Sequence, residues 1–213
     1  MRHSPSDDSI TFAIPKGRVL KQLVPRFEAA GINTAALTEE SRKLIRTSTT
    51  ADGLTLHFLL LKPDDVPTYV EYGAADLGVV GRDVLLERSY DLYAPVDLDI
   101  GRCKLAVAGR ADFAMETAKI LRVATKFPTV AAAHFEKKGQ PIELIFVQGS
   151  VELAPITGLA DVIVDIVETG ETLRSNGLSV LEDVCEISSL VIANRVALKL
   201  KQKRIRPLLN KLC

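Results

Sequence analysis

The sequence lacks the marks of several protein classes. It has no excess of charge, since Lys plus Arg number 27 and Asp plus Glu number 27. A nucleic-acid binder ordinarily shows a basic excess, so any site for a polyanion here must be a local cluster of cations. Cysteine is scarce: Cys103, Cys185 and Cys213 are odd in number and widely spaced. That pattern argues against a disulfide framework or a zinc knuckle and fits a reducing compartment. No apolar run approaches the length of a membrane span, Phe58 to Leu61 being among the longest. The first ten residues are polar and lack the apolar core of a signal peptide. A cytoplasmic protein with neither nucleic acid nor membrane as partner is expected. His3, His57 and His134 are scattered and read as structural, and no Ser/His or Cys/His set suggests an activated nucleophile. Cys103 and Cys185 lie in apolar runs and read as core.

What is present is the composition of a globular protein, with 47% hydrophobic and 25% charged residues. The length of 213 residues suffices for one large domain or two small ones. Residues 1–9 read as a loose tail and Ile10 to Ile14 as the first strand. Pro15-Lys16-Gly17-Arg18 then breaks the run, and Val19, Leu20, Leu23, Val24 and Phe27 recur at helical spacing up to Gly31. Pro25 is expected to kink or divide that helix. Lys43–Thr47 and Leu54–Leu61 flank the turn Ala51-Asp52-Gly53 and predict a hairpin. Helical character follows from Asp64, a candidate cap, to Tyr72. Asp76 to Gly81 reads as a buried strand, with Asp83 capping a short helix after it. Further strands are predicted at Leu92–Leu98, Lys104–Ala108, Arg122–Thr125, Ile142–Phe146 and Asp161–Val167, with a helix over Val130–Lys137. Alternation of this kind predicts an α/β protein with a largely parallel sheet. From Val196 to Leu212 the chain carries Lys199, Lys201, Lys203, Arg204, Arg206 and Lys211 and no acid. This reads as the solvated basic face of a C-terminal helix, with a docking surface as the sharper alternative.

The most informative segment runs from Asp161 through Asp165 and Glu168 into Thr169-Gly170-Glu171-Thr172-Leu173. An apolar strand enters two carboxylates, then a turn, then a helix. Ligands of open α/β sheets lie at such strand ends. Gly170 allows close backbone approach, two hydroxyls can donate, and a helix start offers unpaired N–H groups, which together suit a phosphate. Carboxylates repel phosphate, so their presence beside it asks for a ligand with hydroxyls to hold or a magnesium ion to share. A sugar phosphate with a ribose diol answers both needs. Lys16, Gly17 and Arg18 also stand between a strand and a helix, and Arg42 precedes the first hairpin strand. Arginine presents a planar fork that fits phosphate oxygens.

Several blocks resemble the ATP phosphoribosyltransferase family of histidine biosynthesis. They are Pro15–Arg18, the run from Asp65 to Gly81, Arg122–Lys126, and most specifically Gly149–Pro155 continuing through Gly158–Asp161 into Asp165–Leu173. The similarity extends from about residue 10 to residue 198. It implies a two-lobed, periplasmic-binding-protein-like α/β fold of type II with the active-site cleft between lobes. Lobe I would comprise residues 1–92 and 185–213, with the C-terminal helix, and lobe II residues 93–184. An end at Cys213 resembles the short form, which works as a catalytic homodimer within a hetero-oligomer that includes a regulatory subunit similar to histidyl-tRNA synthetase.

The family reaction joins N1 of the adenine of ATP to C1 of the ribose of phosphoribosyl pyrophosphate (PRPP) and expels pyrophosphate. The resemblance assigns Thr169, Gly170, Glu171, Thr172 and Leu173 to the PRPP 5′-phosphate. It assigns Asp165 and Glu168 to the ribose hydroxyls, Glu168 bearing also on magnesium held mostly through substrate. Arg18 and Arg42 would stabilise the departing pyrophosphate, with Lys16 and Gly17 nearby. Lys62 stands where many relatives carry arginine. It keeps the charge without the bidentate fork and is not counted among the site residues. Two alternatives remain at this stage: a non-enzymatic binding module of the same fold, and a phosphoribosyltransferase with another acceptor base.

Overall fold

The central strands bury successive residues, and so both of their faces, which means that each sheet must be covered on two sides. The computed structural model describes residues 9–213. The chain begins with β1 (Ser9–Pro15), α1 (Arg18–Ala29), α2 (Ala35–Thr38), β2 (Ile45–Thr49) and β3 (Thr55–Leu61). It continues with α3 (Val66–Glu71), β4 (Leu77–Gly81), α4 (Arg82–Glu87), β5 (Tyr93–Asp97) and β6 (Cys103–Gly109). Then come β7 (Leu121–Thr125), α5 (Pro128–Lys137), β8 (Ile142–Phe146), α6 (Leu153–Thr157), β9 (Val162–Val167) and α7 (Glu171–Ser175). The last elements are β10 (Ser179–Ile187), β11 (Ser189–Ala193), α8 (Arg195–Leu200) and α9 (Gln202–Leu212).

Two compact units result. The first runs to Leu85, takes in Ser89–Gly101 and resumes at Ser188–Cys213. The second comprises Leu86–Arg88 and Arg102–Ile187. Residues 93–101, expected in the second lobe, belong to the first because β5 hydrogen-bonds to β11. Residues 185–187 stay with the second because β10 pairs with β6 as far as Ile187.

The sheet of the first unit has the order β2-β3-β1-β4-β11-β5. Strands β3, β1 and β4 are parallel, while β2, β11 and β5 join antiparallel. On one face Ile10, Phe12 and Ile14 of β1 pack with Leu56, Phe58 and Leu60 of β3, with Leu23 and Phe27 of α1, and with Ile205 and Leu208 of α9. Phe27 stands 5.4 Å from Phe12 and 6.0 Å from Phe58, ring centroid to centroid. All three rings are fully buried, and each contributes roughly 1.5–3 kcal/mol through its removal from water. On the opposite face Ala13 and Val80 meet Val66 and Val70 of α3.

The second sheet has the order β10-β6-β9-β7-β8. Here β8, β7 and β9 are parallel, and β6 and β10 are antiparallel additions. Leu105, Val107, Val123, Val162 and Val164 face Ala131 and Phe135 of α5. Ala106, Ala108, Ile163 and Val167 face Ala154 of α6 and Leu173 of α7. At the amino-terminal ends of β7 and β9 the two strands are locked in register. The Arg122 guanidinium donates to Asp161 at 2.6 and 3.3 Å, and the Arg122 backbone N–H donates to the same carboxylate at 2.9 Å. The bond from Arg122 holds the Asp161 carboxyl below its ordinary range.

Several expectations are corrected. The sheets are mixed rather than largely parallel, because β2 and β11 run against the parallel strands of the first sheet and β6 against those of the second. Helix α1 runs unbroken through Pro25. Pro25 and Lys21 are both exposed, so the Lys21 carbonyl released by the missing N–H can bond to water. Asp64 does not cap α3: it lies within a 3₁₀ turn, Pro63–Asp65, that precedes the helix. Asp83 sits inside the first turn of α4 rather than ahead of it. Ser9 belongs to β1; residues 1–8, and His3 with them, lie outside the described residues.

The basic C-terminal stretch is two helices, α8 and α9, that meet at Lys201. Its other cations are exposed, but Lys201 is buried. Its ammonium donates to Asp76 at 2.8 Å and to the Ser9 carbonyl at 3.0 Å. Asp76 also accepts from the Thr11 backbone N–H at 2.8 Å. One ion pair therefore ties β1, the entry to β4 and the C-terminal helices together. Removing one partner of a buried pair leaves the other charge without compensation. Lys201→Met is expected to lower stability by about 3 kcal/mol, read as a lower denaturant midpoint at constant slope. An unchanged midpoint would show that the pair adds nothing.

Candidate active site

Strands β7, β8 and β9 run parallel, so their carboxyl ends reach the same edge of the second sheet. That edge gathers Lys126, the Gly149-Ser150 turn and the segment from Glu168 to Thr172. A cavity of about 240 Å³ opens there, lined by Glu152, Asp165, Glu168, Thr169, Gly170, Glu171, Thr172 and Leu173, with Ala106 and Ala108 beneath. Asp165 is the informative residue. It stands between Ile163 and Val167 in the alternation of β9 and opposite Ala106 of β6, a position that the pattern of the face reserves for an apolar side chain. A carboxylate there faces the cavity, where a polar ligand could meet it. The Ile166 N–H donates to Asp165 at 2.8 Å.

Beyond β9 the chain turns sharply. Gly170 holds φ at 70°, in the left-handed region, and forms the N-cap of α7. The first-turn amides of α7 have no acceptors within the helix. The Thr169 Oγ1 accepts weakly from the Glu171 N–H at 3.4 Å, and the Arg174 guanidinium donates to the Thr169 carbonyl at 2.9 Å. Leu173 is buried in the core of this face, so its side chain anchors the turn and only its backbone can serve a ligand. Ser150, at the end of the neighbouring loop, also has a positive φ of 49°.

The first unit repeats the arrangement. Parallel β1, β3 and β4 deliver Lys16-Gly17-Arg18, Lys62 and Arg82 to one edge of its sheet. The Lys16 N–H donates to the Leu61 carbonyl at 2.9 Å. Strand β2 is antiparallel to β3, so it starts at that same edge. The Leu60 N–H bonds to the Leu44 carbonyl at 2.8 Å, and Arg42 lies two residues before Leu44. Lys16, Gly17, Arg18 and Arg42 are all exposed. Gly17 caps α1 with φ 93°, and no other part of the chain occupies the space where a Cβ would stand. Five cations at the ends of four strands can hold an anion with several phosphates, although Asp64 and Asp65 lie two and three residues after Lys62.

Each proposed cluster is thus assembled within its own unit: Asp165 and Glu168 to Leu173 in the second, Lys16, Gly17, Arg18 and Arg42 in the first. Glu152, Arg174 and Arg82 were not foreseen, and Lys62, which was set aside for lacking the bidentate fork of arginine, stands at the same edge. Glu152 lies inside the Gly149–Pro155 block, and Lys62 and Arg82 each directly follow a parallel strand, which is the signal that could have found them. His57 contacts Thr47 across β2 and β3 at 3.1 Å, and burial on α5 pushes the His134 imidazole down. Neither lines the cavity. Cys103 and Cys185 pack against the core of the second unit.

The sequence model of the family described as ATP phosphoribosyltransferase matches residues 62–213. The chain belongs to the ATP phosphoribosyltransferase family. It is 57% identical over 203 residues to the ATP phosphoribosyltransferase of Sorangium cellulosum, covering 95% of this chain and 94% of the relative. With that of Caldanaerobacter subterraneus it shares 49% over 205 residues, 96% of each chain. Among solved structures it resembles the ATP phosphoribosyl transferase (HisG:HisZ) complex from Thermotoga maritima, with TM-score 0.79, 35% identity and coverage of 95% of this chain and 96% of that one. The Bordetella pertussis BvgS VFT2 domain shares the fold alone, with TM-score 0.60 at 12% identity over 96% of this chain and 86% of that one. The two-lobed, periplasmic-binding-like fold expected for an ATP phosphoribosyltransferase is the fold observed.

The turn at Gly170 offers a direct test of the cavity in this ATP phosphoribosyltransferase. An alanine there would hold a left-handed conformation, and its Cβ would stand 3.2 Å from Arg174 Nη1. Gly170→Ala is expected to cost about 1 kcal/mol at the turn and to weaken ribose 5-phosphate binding about fivefold, measured by calorimetric titration. Unchanged affinity would remove the turn from the site.

Proposed function

We propose that this chain is the catalytic subunit of a short-form ATP phosphoribosyltransferase, which transfers the 5-phosphoribosyl group of PRPP to N1 of ATP and releases pyrophosphate, opening histidine biosynthesis. The observation that carries the reading is Asp165, a carboxylate at an inward-facing strand position beside the Thr169–Thr172 turn. A sugar phosphate needs both parts. The turn and the start of α7 take the 5′-phosphate through Thr169, Gly170, Glu171, Thr172 and the backbone of Leu173. Asp165 and Glu168 accept hydrogen bonds from the ribose hydroxyls.

The chemistry needs no protein nucleophile. The lone pair of adenine N1 forms the bond to C1 as the bond from C1 to the pyrophosphate oxygen breaks, and the electron pair leaves with pyrophosphate. The difficulty is charge: two unit charges about 4 Å apart still interact by roughly 4 kcal/mol at the effective dielectric of a protein surface. Arg18 and Arg42, with Lys16 and the backbone at Gly17, stabilise the charge that grows on the departing pyrophosphate.

Magnesium fits this reading as an ion carried by substrate. Among the described residues no three His, Cys, Asp or Glu side chains gather so as to hold a metal, and Mg²⁺ is commonly held by substrate phosphates with one or two carboxylates. Glu168 is the carboxylate assigned to it. When bound, the ion would neutralise pyrophosphate charge.

By likeness to the Thermotoga maritima HisG:HisZ complex, the partner is a regulatory subunit similar to histidyl-tRNA synthetase, which joins a catalytic homodimer in a hetero-oligomer. A cytoplasmic setting is supported by the odd number and wide spacing of the three cysteines. No helix among the described residues is long and apolar enough to cross a membrane.

Arg18→Ala and Arg42→Ala are each expected to slow turnover about 100-fold or more, some 2.7 kcal/mol, measured in steady state with the partner present. Unchanged turnover in both would remove them from the mechanism. Asp165→Ala should mainly impair the use of PRPP, and unchanged PRPP affinity and rate would end its ribose-holding role. A panel of bases offered with PRPP distinguishes this reading from transfer to another acceptor, since only ATP should yield product.

A further inference from the structure

Arg42 lies on an exposed stretch between α2 and β2, with no helix or strand of its own to fix it. A side chain that must meet growing charge in one geometry needs a loop held in place, because a loop left free loses conformational entropy each time it is fixed. The structure supplies one holder. Arg46, on β2 opposite Phe58, turns its guanidinium back into this loop and donates to five backbone carbonyls. Its Nη1 reaches Ala36 at 2.7 Å, Leu37 at 3.2 Å and Glu39 at 2.9 Å. Its Nη2 reaches Ser41 at 2.8 Å and its Nε reaches Lys43 at 3.3 Å.

The five acceptors have one thing in common. Ala36 and Leu37 lie in a four-residue helix, whose last carbonyls have no partner within the helix. Glu39, Ser41 and Lys43 belong to a stretch without regular structure, where carbonyls find no ladder. These acceptors lie on both sides of Arg42, from the end of α2 to the residue just after it.

We propose that Arg46 is a positioning residue, which fixes the loop that presents Arg42 to the departing pyrophosphate. This rests on the assignment of Arg42 above, and the two can fail separately. The experiment compares Arg46→Ala, Arg46→Lys, Arg42→Ala and the double variant Arg42→Ala/Arg46→Ala, using the full chain with its regulatory partner, ATP, PRPP and magnesium.

The expected result has three parts. Arg46→Ala lowers kcat at least about tenfold. Arg46→Lys does not restore it, because a compact ammonium keeps the charge but cannot span both the end of α2 and the loop. Added to Arg42→Ala, the Arg46→Ala change costs no more than about a further twofold, since both act through one group. Amide hydrogen exchange over residues 39–43 should quicken in both Arg46 variants. Wild-type turnover in Arg46→Lys would overturn the proposal, and so would a full independent loss on top of Arg42→Ala. Wild-type turnover in Arg42→Ala would overturn the assignment of Arg42 first and leave the clamp purely structural.

Discussion

Parallel strand pairing is the constraint on which both sites depend. A parallel strand can return only after a crossover, so the chain must leave the sheet at every carboxyl end. Three such strands in each sheet place three exits along one edge: Lys16, Lys62 and Arg82 in the first unit, and Lys126, the turn after Phe146 and Glu168–Gly170 in the second. Residues far apart in sequence become neighbours in this way without any element built for the purpose. The antiparallel strands add to this rather than compete with it. Strand β2 starts at the edge where β3 ends, and that start brings Arg42 to the cations of β1 and β3.

The two edges carry opposite chemistry. The first unit offers exposed lysines and arginines with a bare glycine among them, suited to polyphosphate oxygens. The second offers carboxylates around a turn of hydroxyls and amides, suited to a sugar that bears a single phosphate. PRPP has both kinds of end, a 5′-phosphate on a ribose diol and a pyrophosphate at C1. In the first unit a buried pair, Asp76 and Lys201, joins the start of the first strand, the entry to the fourth and the C-terminal helices, at the edge opposite the one that carries Lys16 and Arg18.

Much of this was legible in the sequence for identifiable reasons. Asp165 stood out because a carboxylate interrupts an apolar strand, and Gly170 because it sits between hydroxyls just beyond it. The hairpin was legible from Ala51-Asp52-Gly53 between two alternating runs. Contacts made over long sequence distances were less so. Lys201 looked like one more cation of a solvated helix, since nothing local reveals that Asp76 waits beside it. Arg82 gained meaning only once β4 was seen beside β1, and Lys62, singled out but set aside, gained a place once β3 was seen there too. The strand at Ser179–Ile187 mixes acids with apolar residues and carries bulges against β6, so its period is blurred. The Arg46 clamp was invisible for a related reason: its acceptors are backbone carbonyls, which no residue type announces.

The most direct measurement of the central claim follows absorbance as ATP, PRPP and magnesium are combined with the protein, with and without the regulatory subunit. The account predicts N1-ribosylated ATP only when all three are present, formed faster with the subunit. Folded protein that binds PRPP yet yields no such product in either condition would contradict it and would require a different acceptor at the same phosphate site.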